Sequence, residues 1–243
     1  MKNLIYNILI IMLALTACSK DLNITNKGVC GDAYIFPEKW SGEDLDNFDS
    51  LPSIFFQSMS TCGLLETLFE HPKNKLLGPW CMFCNDLDTP GVSMFNAELR
   101  ANKAAVELFE RSDCFSVLED RYRTCIYNRD PSLDPAFLAY FGMLLASDLC
   151  MEALNENEKY TLMAITMDNN YYCMYIFAPI LISIMKSCNY APFVEDVVPM
   201  LHECIFGYTM VQPGDEIMYL GLSSQAIEII LKYSKDFLNE QNL

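Results

Sequence analysis

Residues 171–185 read YYCMYIFAPILISIM, fifteen positions without a charge. Crossing a bilayer core of roughly 30 Å takes about 20 such residues, and Pro179 interrupts the run, so it is too short and too broken to span. A helix apolar on every side must instead be surrounded by protein. The rest of the chain therefore has to build a shell around it.

The sequence offers that shell in helical periods. Ser60 caps a helix with Leu64, Leu65, Leu68 and Phe69 on one face, ended by Pro72. Asn96 is expected to cap a helix containing Leu99, Val106 and Phe109. A further helix carries Phe115, Leu118, Tyr122 and Ile126, with Glu119 four residues before Arg123. Asp134-Pro135 reads as an N-cap with proline at the first helical position, opening a helix through Phe141, Leu145 and Leu149. Asn155 and Glu158 have the spacing of a capping box. Pro192 and Pro199 bound or kink the segment after the apolar run, which ends near Gly207. Asp215, after the turn Gln212-Pro-Gly, caps a last helix with Ile217, Leu220, Ile227, Leu231 and Phe237 inward. No stretch alternates as a strand does, and no Asn-Gly hairpin signal occurs. The expectation is an all-α fold: an irregular helical bundle, or a short HEAT-like solenoid of helix pairs starting near residues 97, 135, 171 and 216, behind a flexible N-terminal arm.

Residues 1–18, MKNLIYNILIIMLALTAC, have the layout of an export signal. Lys2 supplies the positive start, and Leu4 to Leu15 form an apolar stretch that at about 18 Å is too short to span. Leu15-Thr16-Ala17-Cys18 resembles the bacterial lipobox. That resemblance implies cleavage before Cys18, diacylglycerol on its sulfur and an acyl chain on the new amine, and several chains make anchoring stable. Ser19 in place of Asp resembles the outer-membrane sorting choice, and Lys20-Asp21 partly resembles the charged tag of surface-exported lipoproteins. Cleavage removes one of 16 basic residues and none of 32 acids, taking the net charge from −16 to −17. Such a chain has no basic face for phosphate, which excludes nucleic acid as a partner. Residues 18–50 are expected to be a lipidated N-terminus and acidic linker, and 51–243 a single helical domain. Asp44, Asp46 and Asp49 lack the glycine and distal glutamate of a calcium loop.

Ten cysteines follow Cys18. An even number in an exported chain permits disulfides, but ten allow roughly a thousand pairings. Cys125, Cys150, Cys173 and Cys204 fall in apolar runs and read as small core fillers. Few disulfides are expected, with Cys30, or Cys81 with Cys84, the leading participants. Trp80-Cys81-Met-Phe-Cys84 resembles the thioredoxin redox site. It lacks the preceding strand and following helix that such a site needs, since His71 to Pro79 is a polar turn and Asn85 to Gly91 holds Pro90. No second close cysteine pair completes a zinc site, and His202-Glu203 lacks a second histidine, so no metal or cofactor is expected. With two histidines, no Gly-rich phosphate loop and no Gly-x-Ser-x-Gly elbow, catalysis has few parts to work with.

Leu51-Pro-Ser-Ile-Phe-Phe-Gln-Ser58-Met59-Ser60-Thr61-Cys-Gly-Leu-Leu-Glu-Thr67, through His71-Pro72, resembles a recurring segment of Bacteroidota lipoproteins of uncharacterised function. So does Phe95-Asn96 leading to Leu108-Phe-Glu-Arg-Ser-Asp113. The resemblance covers about the first half of the chain. It implies a helical, exported protein anchored in the outer membrane or at the cell surface, and brings no activity. The function expected is a binding or scaffold module for a protein or peptide partner. The alternatives are a protective, toxin-neutralising lipoprotein and a thiol-disulfide enzyme using Cys81 and Cys84.

Overall fold

The structure, a computed structural model, describes residues 30–72, 90–127, 135–168, 174–196 and 224–241. These form an all-α fold of twelve helices, with no strand among the described residues. They are α1 (Gly42–Ser50), α2 (Ser53–Gln57), α3 (Thr61–Glu70), α4 (Pro90–Ala101), α5 (Lys103–Glu110), α6 (Cys114–Tyr127), α7 (Pro135–Ala146), α8 (Asp148–Ala153), α9 (Glu156–Met167), α10 (Met174–Ser187), α11 (Ala191–Asp196) and α12 (Ser224–Glu240).

The apolar run becomes α10, and every position from 178 to 185 is buried, Pro179 and Ser183 included. Ser183 satisfies its hydroxyl by donating to the Ala146 carbonyl at 2.8 Å, as a buried polar group must. Helices α7, α8, α9, α11 and α12 all pack on α10. A repeat in a solenoid touches only its neighbours, so one helix with five packing partners makes this an irregular bundle. The second hub is α3, which packs on α5, α6 and α7. Among the described residues, no helix is long and apolar enough to cross a membrane.

Local caps decide where helices break. Ser60 caps α3, and Asn155 with Glu158 closes a capping box on α9 through bonds of 2.8 and 3.1 Å. Glu119 and Arg123 pair at 2.8 Å on α6. Asn96 is not a cap: it lies inside α4 and accepts from the Asp148 amide at 3.1 Å, at the start of α8. The cap is Asn102, whose side chain accepts from the amides of Ala104 and Ala105 and starts α5 there. Ser147 likewise splits the helix expected to run on to Leu149 by capping α8. Asp134, Pro199, Gly207 and Asp215 lie outside the described residues, as do Ile217 and Leu220. Of the inward set expected on α12, Ile227 and Phe237 are buried and Leu231 is half-buried.

Where the sequence suggests a linker as far as residue 50, the structure has folded chain from Cys30 onward. Ser41 and Asp44 form a reciprocal capping box on α1, and Leu45 and Phe48 turn inward. Asp44 thus spends its carboxylate on a helix start.

Candidate functional site

The most distinctive local structure is a strap, residues 30–36, that turns at 31–32 and then runs along α3. Asp32 lies over Gly63, the Tyr34 amide donates to Thr67 Oγ1 at 2.9 Å, and the Phe36 ring meets His71 at 5.1 Å. Two residues of extended chain advance about 6.6 Å and four residues of helix about 6 Å, so every second strap residue meets the next turn of α3. The intervening side chain of Ile35 is left 81% exposed.

Each contact has a chemical reason. Asp32 accepts from the Ser60 amide at 2.6 Å and from its hydroxyl at 2.8 Å, while Ser60 Oγ accepts from the Gly63 amide at 3.0 Å. One serine therefore caps the helix and holds the strap. These bonds favour the ionised form, so the Ser60 amide first of all holds the Asp32 carboxyl below its ordinary value. Thr67 donates to the Gly63 carbonyl at 2.8 Å and so keeps its lone pairs toward Tyr34. Glycine at 63 leaves room for this carboxylate, because a Cβ there would press on Asp32 and force it aside.

The strap ends in an aromatic cluster. Phe36 packs edge-on or tilted against Tyr34 at 4.8 Å and Phe48 at 4.9 Å, and Phe48 in turn meets Phe56 at 5.4 Å and His71 at 5.1 Å. His71 is buried in this cluster. Helix α5 fastens the same region from the other side. Lys103 donates to the carbonyls of Asp49 and Leu51 at 2.9 and 2.8 Å, and Arg111 Nη2 to that of Gln57 at 2.9 Å. These cations satisfy carbonyls at or just beyond the C-termini of α1 and α2, where helical partners run out.

At its N-terminal end the strap is bonded covalently. Cys30 and Cys62 form a disulfide with Cα atoms 5.8 Å apart, joining the start of the strap to the first turn of α3. Both residues are half-buried. Cys30 was legible as a disulfide participant, but its partner was not. Cys125 and Cys150 are buried in the core as their runs suggest, and so is Cys114. Burial pushes the Cys114 thiol up to about 12, Cys125 to about 11 and Cys150 well above its ordinary value. These thiols are protonated and unreactive at neutral pH. Cys18, Cys81 and Cys84 lie outside the described residues, as do Trp80, Cys173, Cys204 and His202.

A shallow open groove of about 190 Å³ lies between α2, α4 and α5. Its charges already serve the fold: Arg100 pairs with Glu152 at 2.6 Å, Glu107 with Arg111 at 2.8 Å, and Lys103 holds the α1 carbonyls. Deeper in, Arg121 pairs with Glu66 at 3.2 Å and stands over the rings of Phe69 and Phe137 at 5.6 and 5.7 Å. Burial raises the Glu66 carboxyl, against the opposing pull of Arg121. This pair knits α3 to α6. Among the described residues, no three His, Cys, Asp or Glu side chains are grouped to hold a metal ion.

Among the described residues four large apolar side chains stand exposed, three of them on the strap, α2 and the approach to α1 and the fourth, Met94 at 42%, on α4. Ile35 at 81%, Ile54 at 68% and Trp40 at 42% exposure belong to the strap, α2 and the approach to α1. No protein-family model matches the chain, and no curated protein or solved structure is similar to it.

Proposed function

We propose that this protein is a lipid-anchored component of a bacterial cell envelope, held by acyl chains on Cys18, that presents its helical domain to a protein or peptide partner. The observation that carries the reading is the Cys30–Cys62 disulfide on a chain whose first eighteen residues read as an export signal. Structural disulfides belong to oxidising compartments outside the cytosol, so the bond and the leader support the same location. Placement in the outer membrane rests on Ser19, and exposure at the cell surface on Lys20-Asp21. The partner face proposed is the strap with α1 and α2, where Ile35, Trp40 and Ile54 are exposed. Large apolar side chains left exposed on neighbouring stretches of chain are candidates for a contact with a partner. The reading assigns no catalytic residue.

Two experiments test it. Metabolic labelling with an alkyne fatty acid should tag the wild type and not Cys18→Ala, and external protease should shave the protein from intact cells while a periplasmic marker survives. Equal labelling of both forms would refute the anchor, and protection from protease would move the protein inside the envelope. For the partner face, a photo-crosslinking residue at position 35 or 54 should trap a discrete adduct in cells that the same residue at exposed Glu228 on α12 does not. Adducts absent from both positions would remove the binding assignment.

A further inference from the structure

We propose that the Cys30–Cys62 disulfide is a redox-operated clasp, whose reduction by a dithiol releases the strap from α3 while the helical bundle stays folded. The strap is attached in a way that suits release. Among the described residues, no backbone–backbone hydrogen bond ties positions 30–40 to any helix. Apart from the disulfide, its polar attachments are the Ser60 bonds to Asp32 and the one from the Tyr34 amide to Thr67. Only Phe36 is buried, whereas Gly31, Asp32 and residues 37–41 are exposed. An extended segment held at alternate residues, with solvent reaching its remaining backbone, opens locally more easily than a core helix. Neither Cys30 nor Cys62 is a sealed core residue, both being half-buried, which leaves the bond nearer solvent than the core thiols. The core is organised around the hubs α10 and α3, and of the strap only Phe36 enters it, with Tyr34 packed against it.

A thiolate of the dithiol attacks one sulfur, forming a mixed disulfide and expelling the other cysteine as a thiolate that takes up a proton. The second thiol of the reductant then displaces the remaining cysteine, which is protonated in turn. Two electrons pass to the chain, which ends with two thiols, and the reductant ends as a disulfide.

The consequence rests on the anchored reading above, but the clasp itself does not. With Cys18 fixed to a membrane, a closed clasp leaves eleven residues between Cys18 and Cys30, a span of at most about 40 Å. An open one frees the chain as far as Ser41, the cap of α1, and about doubles that reach. Redox state would then set how far the domain stands from the membrane.

The test follows amide exchange in the full chain before and after dithiothreitol at neutral pH without denaturant, with the Tyr34 amide as reporter and positions 178–185 of α10 as control. Exchange at Tyr34 should accelerate at least tenfold, α10 should not change, and reoxidation should restore the slow rate. The double variant Cys30→Ser/Cys62→Ser should match the reduced wild type. Unchanged exchange at Tyr34 would show that the side-chain contacts alone keep the strap docked, and would overturn the clasp. Acceleration of α10 to the same degree would make the disulfide a staple for the whole fold, and so would a bond that reduces only after denaturation. None of these outcomes bears on acylation of Cys18, so a failure here is distinguishable from a failure of the anchor.

Discussion

Replacing Gly63 with alanine tests the strap's register through a sign change. In most helices this substitution stabilises, since glycine in a helix interior is worse than alanine by about 1 kcal/mol, and by roughly half that in the first turn. Here the new methyl would lie 2.3 Å from Asp32 Oδ1 and 2.8 Å from its Cγ. Asp32 must therefore leave Ser60 and give up two hydrogen bonds of 2.6 and 2.8 Å. Bonds to a charged group on an exposed side chain are worth about 1 kcal/mol each. Gly63→Ala should then destabilise the wild type by about 1 kcal/mol, the loss of about 2 exceeding the helical gain. In an Asp32→Ala background the clash is absent, and the same substitution should stabilise by about 0.5 to 1 kcal/mol. Four urea titrations, read as a double-mutant cycle, should give a coupling of about 2 kcal/mol with unchanged slopes. If Gly63→Ala stabilises equally in both backgrounds, Asp32 does not lie on Gly63 and the register described for the strap is wrong.

Four further outcomes follow from the same structure. Glu66→Gln should destabilise by about 2 kcal/mol in denaturant titrations, because it leaves half-buried Arg121 without its counter-charge, whereas the paired change Glu66→Leu/Arg121→Met should recover most of that loss. Tyr140→Phe should be neutral or stabilising by about 1 kcal/mol in thermal melts, since the Tyr140 hydroxyl is fully buried with no hydrogen-bond partner among the described residues. Asp32 is held below its ordinary value of 3.8 in the fold, so its contribution is present above that value and lost as pH falls through the lower folded one. Exchange of the Tyr34 amide, corrected for its intrinsic pH dependence, should accelerate below about pH 4 in the wild type and be flat there in Asp32→Ala. Iodoacetamide at neutral pH should modify half-buried Cys188 ahead of Cys114, Cys125 and Cys150, and equal rates by peptide mapping would contradict the burial described.

The features legible in the sequence are those determined within one turn of helix. Ser60 and the Asn155–Glu158 pair act on amides two or three residues away, so the spacing alone announces them. The run at 171–185 likewise announces a central helix, and its described side chains, 178–185, are all buried. Breaks between helices were harder. Asn96 and Asn102 are both plausible caps by type, and only packing places Asn96 inside α4, against the start of α8. The start of α1 carried a usable signal, Ser41 three residues before Asp44, that the acidity of the surrounding stretch obscured. The strap was not legible. Its 32, 34, 36 alternation has meaning only against 63, 67 and 71 on α3, a match between two periods about thirty residues apart. For the same reason Cys30 could be suspected of a disulfide while Cys62, in the first turn of a well-formed helix, gave no sign of being its partner.

The central claim is that the chain is exported, acylated at Cys18 and closed by one disulfide at the start of its fold. Mass spectrometry of peptides from the protein purified from membranes, digested without reduction, tests it most directly. The account predicts an N-terminal peptide that begins at Cys18 with the added mass of its acyl chains, together with a Cys30–Cys62 cross-linked peptide. An N-terminus that retains Met1, or an unmodified Cys18 beside free Cys30 and Cys62 thiols, would contradict it.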